Sequence, residues 1–246
     1  MSDLKVDGII ASTGTNTALT LQGKGSGKVD IGDGALSFPD ADGDADQVIK
    51  TDGSGALAFV TPAAAGWNVI GTEEAGGGSG TATLDVTGLS STYDTYAIGG
   101  SDLLPITDNV NAYLRIGDSS GIDSGASDYA WMVQAGNRVE DTSCGNDCDQ
   151  DDADAQMILD ETNNPVGGAT GEGIGFMLFL HRPGDGTTKP MITGETTYFE
   201  QSTSELFPSH FGGARVAVIT VDRVQFLFHS GNVESGRLTV WGLAHA

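Results

Sequence analysis

Between Trp67 and Gly117 four short runs rich in β-branched and aromatic residues are separated by Gly, Asn, Asp and Pro breakers. Successive strands of an all-β domain have this pattern. Within it Leu84 and Val86 alternate with Thr83, Asp85 and Thr87. A period of two places one strand face on a core and the other outside. No stretch of the chain shows a convincing helical period, so the expected architecture is a sandwich or jelly roll.

Further strands are expected near 128–134, 155–160, 174–181, 190–199, 214–220, 224–229 and 237–243, after those near 67–71, 81–88, 95–101 and 109–116. The run from Ile174 to Leu180 is almost wholly apolar and should be central. Val224, Phe226 and Phe228 share a face. The last strand holds Leu238, Val240, Trp241 and Leu243, and the intervening 230–236 reads as a hairpin loop.

The first quarter differs. Residues 1–65 are Gly- and Asp-rich, with small apolar pairs between turns: Ile9 and Ile10, Leu19 and Leu21, Val29 and Ile31. Leu36 with Phe38, Val48 with Ile49, and Leu57 with Phe59 continue the series. No pair makes a core by itself, and such units bury their edges only against neighbours. A linker shares this composition, but the regular placing favours an extended stem that orders on assembly. Pro62 to Gly66 is the expected joint, and 66–246 the expected head.

Charge narrows the partners. Asp and Glu number 34 against 11 Lys and Arg, a formal charge of -23. That field repels phosphate backbones and anionic membrane surfaces. The first residues lack a basic segment followed by an apolar one, so no secretory signal is expected and synthesis is expected in a cytosol.

Motifs that suggest chemistry are weak. Gly117–Gly121 fits Gly-x-Ser-x-Gly around Ser119, yet turn formers follow it where a nucleophile elbow needs a helix. Gly25–Lys28 resembles part of a phosphate loop, but Val29 stands where Ser or Thr is required. His181, His210, His229 and His245 have no zinc-ligand spacing. Carboxylates at Asp40, Asp42, Asp44 and Asp46, and at Asp147, Asp149, Asp151, Asp152 and Asp154, could converge on Ca²⁺ or form solvated loops. Neither cluster matches an EF-hand. Cys144 and Cys148 lie in the polar stretch 136–154, as a local disulfide or as free thiols. Tyr129 and Trp131 could stack on sugar, with core packing the more usual role for such residues.

Two segments resemble bacteriophage proteins. Residues 31–60, with Gln47, Val48, Ile49, Thr51, Asp52, Gly53, Ser54, Gly55 and Leu57, resemble a segment of tail-fibre and virion fibre proteins, Phe59 standing where that segment usually has Trp. In the head, Tyr93, Asp94, Tyr96, Pro105, Thr107 and Asp108 resemble a pattern of phage structural proteins. Phe226, Phe228, Ser230, Gly231, Asn232, Gly236, Leu238, Val240, Gly242 and Leu243 continue it. The resemblance implies a virion location, a trimeric stem and a jelly-roll head, and transfers no catalytic or receptor residue. The expected function is a non-enzymatic homotrimeric fibre or spike subunit, joined to other virion proteins through the stem. The loops 117–128, 136–154 and 184–189 would meet a host glycan or surface protein. A capsid decoration protein is the alternative, and a polysaccharide depolymerase the remote one. No cofactor is expected apart from the Ca²⁺ reading.

Overall fold

The computed structural model describes residues 30–31, 36–39, 43–62, 66–76, 78–136, 147–201 and 205–244. The apolar pairs before Val29, the Gly25–Lys28 run, Asp40, Asp42, Cys144 and His245 lie outside the described residues. Among those described every regular element is a strand, and pairing within the sheets is antiparallel throughout. The chain divides into two compact units between Ala63 and Ala64.

The first unit holds two small pairings. β1 (Asp30–Ile31) pairs with β2 (Leu36–Ser37), and β3 (Val48–Thr51) with β4 (Leu57–Val60). The connection between β3 and β4 is specified residue by residue. Asp52 Oδ1 accepts from Ser54 N at 2.7 Å and from Ala56 N at 3.1 Å, while Thr51 Oγ1 accepts from Gly53 N at 3.1 Å. Gly53 and Gly55 have φ of 80° and 94°, a region that L side chains rarely adopt.

The second unit carries an eight-stranded and a five-stranded sheet. The larger consists of β5 (Trp67–Glu74), β7 (Thr95–Pro105), β10 (Tyr129–Ala135), β11 (Asp147–Asp154), β13 (Gly173–His181), β14 (Met191–Phe199), β15 (Leu206–Arg215) and β17 (Val233–Leu243). Their spatial order is β11-β10-β15-β14-β13-β7-β17-β5. The smaller consists of β6 (Leu84–Thr87), β8 (Ala112–Asp118), β9 (Gly121–Ile122), β12 (Met157–Ile158) and β16 (Arg223–Phe228), in the order β12-β8-β16-β6 with β9 paired to β8.

The inner faces of both sheets meet in one hydrophobic core. Ile98, Phe176, Leu178, Tyr198, Phe207 and Leu238 come from the larger sheet; Leu84, Val86, Leu114, Ile116, Val224 and Phe226 from the smaller. Phe176 and Phe226 make the junction concrete, with ring centroids 5.7 Å apart. Burying each such side chain stabilises the fold by about 1.5–3 kcal/mol. As expected, β13 lies inside the larger sheet, and the last strand β17 is held between β7 and β5.

Four expectations fail. β11 occupies part of the stretch expected to be loop; its acidic residues are tolerated because it is an edge strand bonded on one side to β10. β15 falls where Pro208, Gly212 and Gly213 suggest breaks. Pro208 fits because it sits at the end of the β10 ladder, where its carbonyl accepts from Gly136 N at 2.9 Å. The β-branched run expected as a strand at 214–220 is irregular after Arg215. It is anchored by bonds from Val216 N to Asp128 O and from Val221 N to Pro183 O, both 2.8 Å. Finally, the expected hairpin at 230–236 is a crossover, since β16 and β17 belong to different sheets.

Candidate functional site

Several residues singled out by the fibre resemblance hold backbone together, while Phe226, Phe228, Leu238 and Val240 pack in the core. In the first unit Gln47 Oε1 accepts from Asp44 N at 3.0 Å, and a Cβ added at Gly43 would fall 2.5 Å from the Phe59 ring. In the second unit Tyr96 Oη donates to Ser90 O and accepts from Ser90 N, each at 2.9 Å. The Tyr93 and Tyr96 rings meet edge-on at 5.6 Å. Asp108 Oδ1 accepts from Gly168 N at 2.9 Å, and Asn232 Nδ2 donates to Ser79 O at 2.7 Å. Gly231 and Gly236 take φ of 74° and 106°. These positions close turns and lock strands.

The other expected sites disperse. Ser119 and Ser120 form a two-residue turn between β8 and β9, with Ser120 N donating to Asp118 Oδ1 at 2.8 Å. A strand begins at Gly121 right after this turn, where a nucleophile elbow would have a helix. Asp149 Oδ2 accepts from Thr162 N at 3.1 Å and from Thr162 Oγ1, and Asp151 Oδ1 accepts from Ala153 N at 2.9 Å. Asp147 begins β11. Among the described residues no group of three or more His, Cys, Asp and Glu is arranged to hold a metal ion. Cys148 is exposed on β11, and Cys144, with which it would form the disulfide of one alternative, lies outside the described residues. Tyr129 and Trp131 are buried. Tyr129 Oη contacts Ile116 N, Ile116 O and Asp123 O within 3.0 Å, and Trp131 Nε1 donates to Asp154 Oδ2 at 3.2 Å. Burial raises the Tyr129 hydroxyl well above its ordinary pKa.

His181 Nε2 meets Thr193 Oγ1 at 3.0 Å, His210 lies 3.6 Å from Glu195, and His229 Nδ1 lies 2.5 Å from Tyr113 Oη. The first two are surface pairs and the third joins exposed His229 to the buried Tyr113; the three do not form a constellation.

Two features present apolar surface. The first is the β3–β4 hairpin, on which Val48 and Ile49 are 49% and 47% exposed. The second, which the sequence pattern does not reveal, is the outer face of the eight-stranded sheet. There the Trp67 ring packs edge-on against Trp241 at 5.9 Å and Phe179 at 6.3 Å. Trp241 also covers Gly99, where an added Cβ would lie 2.7 Å from its ring. Val69, Met177 and Met191 extend this surface at 64%, 37% and 53% exposure. Towards the opposite edge an open depression of about 700 Å³ is lined by Ala130, Met132, Gly212 and Ala214 on one side and by Gln150, Asp151 and Asp152 of β11 on the other.

No family model, curated protein or solved structure matches the chain.

Proposed function

We propose that this chain is a non-enzymatic virion structural protein: a homotrimeric fibre or spike subunit with an extended stem and a jelly-roll head. The observation that carries the reading is the β3–β4 hairpin. It is an isolated two-stranded element, which is marginal in water without further packing. Its sequence nevertheless commits Asp52, Gly53 and Gly55 to one turn geometry and leaves Val48 and Ile49 exposed. Specified backbone with exposed apolar side chains is suited to burial against identical copies around a symmetry axis. The net charge of -23 keeps assembled subunits soluble and argues against a nucleic-acid partner. The structural roles of the resemblance residues in both units support a scaffold rather than a reaction.

Immuno-electron microscopy of phage particles with antibodies against this chain tests the placement. Label on fibres or spikes is expected. Label spread over capsid faces would favour a decoration protein, and particles without label would overturn the virion reading.

A further inference from the structure

Two adjacent rows of outward residues run along the larger sheet without a carboxylate, one from β5 to β11 and the other from β5 to β15. One begins Val69, Trp241, Ala97, Phe179 and Thr193, each paired with the next across the ladder. It continues through Gly212, Met132 and Gln150. The neighbouring row runs through Trp67, Leu243, Thr95, His181, Met191 and Ala214. Carboxylates return outside these rows, at Glu195 facing His210, at Glu74 facing Arg237, and at Asp151 and Asp152 on the β11 edge, beside Met132 and Gln150. In a chain with 34 Asp and Glu, a carboxylate-free band spanning this much of one face is a specific feature.

Its composition fits a protein partner. Aromatic rings and methionines are enriched, and charges depleted, in the cores of protein interfaces, where Trp is a frequent anchor. Charge then selects which protein. A second copy brings the same charge of -23, and like charges face one another at a steep cost unless the meeting surfaces omit them. This band omits them. Trp67 and Val69 both lie on β5. β5 is also an edge of its sheet.

We propose that this band is the surface through which the heads of neighbouring copies pack, with the Trp67–Trp241–Phe179 cluster as its anchor. The inference rests on the fibre-subunit reading above. Its test uses the full chain with a photo-crosslinking amino acid at Val69, compared with the same group at exposed Thr87 on the outer side of the smaller sheet. Native mass is measured in parallel. Val69 should give multiples of the 25.2 kDa chain several-fold more efficiently than Thr87. In addition, Val69→Glu with Met191→Glu should raise the half-dissociation concentration about tenfold or more, since like charges would then face each other. Both positions are exposed, and an unchanged circular dichroism spectrum checks that the variant folds. An oligomeric mass with Val69 crosslinking no better than Thr87 overturns the band and leaves the fibre reading standing. A single-chain mass overturns both.

Discussion

Arg215 Nε lies 2.7 Å from Asp123 Oδ2, which ties the end of β15 to the loop after β9. The same guanidinium reaches Asp128 Oδ1 at 2.8 Å and donates to Asp128 O at 3.0 Å. Its carbon stands 5.8 Å from the centre of the Tyr129 ring. The Arg215 side chain is only 12% exposed, so its loss strands two carboxylates in a poorly solvated place. Arg215→Ala should therefore cost about 3 kcal/mol. Arg215→Lys keeps the charge but not the fork, and should recover only part of that. Urea unfolding of the three proteins measures this; an Arg215→Ala midpoint equal to wild type would show that the node is only decorative.

Asp160 sets a pH dependence. Its carboxylate is fully buried after β12 and accepts from Ala112 N at 2.9 Å, Asn111 Nδ2 at 3.1 Å and Val166 N at 3.3 Å. Burial outweighs these bonds and pushes its pKa from 3.8 up to about 8. The folded state thus holds this proton more tightly than the unfolded chain does. The stabilisation is complete below pH 3.8 and is lost as pH rises through about 8. Melting temperatures should fall between about pH 4 and pH 8 and level off above, and Asp160→Asn should flatten that slope. A slope unchanged in the variant would assign it to another group.

The two sheets share one core, so a cavity between them should be felt by the whole second unit. Phe226→Ala removes a fully buried ring that touches Phe176 and Phe228. A loss of about 3–5 kcal/mol is expected. Chemical denaturation followed by both far- and near-ultraviolet circular dichroism should show one cooperative transition shifted as a unit.

At the hairpin, Gly55→Ala forces a Cβ into a φ of 94°, at a cost of about 1–3 kcal/mol per copy. Asp52→Ala orphans the Ser54 and Ala56 amides, worth about 1 kcal/mol. Under the stem reading both lower the temperature at which the oligomer separates, while the melting of the second unit stays put. Differential scanning calorimetry distinguishes the two events.

The all-β class was legible because strand periodicity is local: Leu84 and Val86 do point inward, as do Val224, Phe226 and Phe228. The 52–55 turn was legible for the same reason, since Asp and Gly carry their own backbone chemistry. Where strands pair is not local. β11 gains its ladder from β10 against the propensity of its aspartates, and Pro208 survives in β15 because its partner strand ends there. The 214–220 run has strand-like residues but is held by isolated bonds to two different loops. Arg215 gave no signal because Asp123 and Asp128 belong to a different part of the chain. The carboxylate-free band could not be anticipated at all, because its rows exist only once eight strands are in register.

The mass of the intact chain in solution tests the central claim most directly. Multi-angle light scattering at micromolar concentration should give three times the 25.2 kDa of one chain. A stable value of 25.2 kDa across that range would contradict the account.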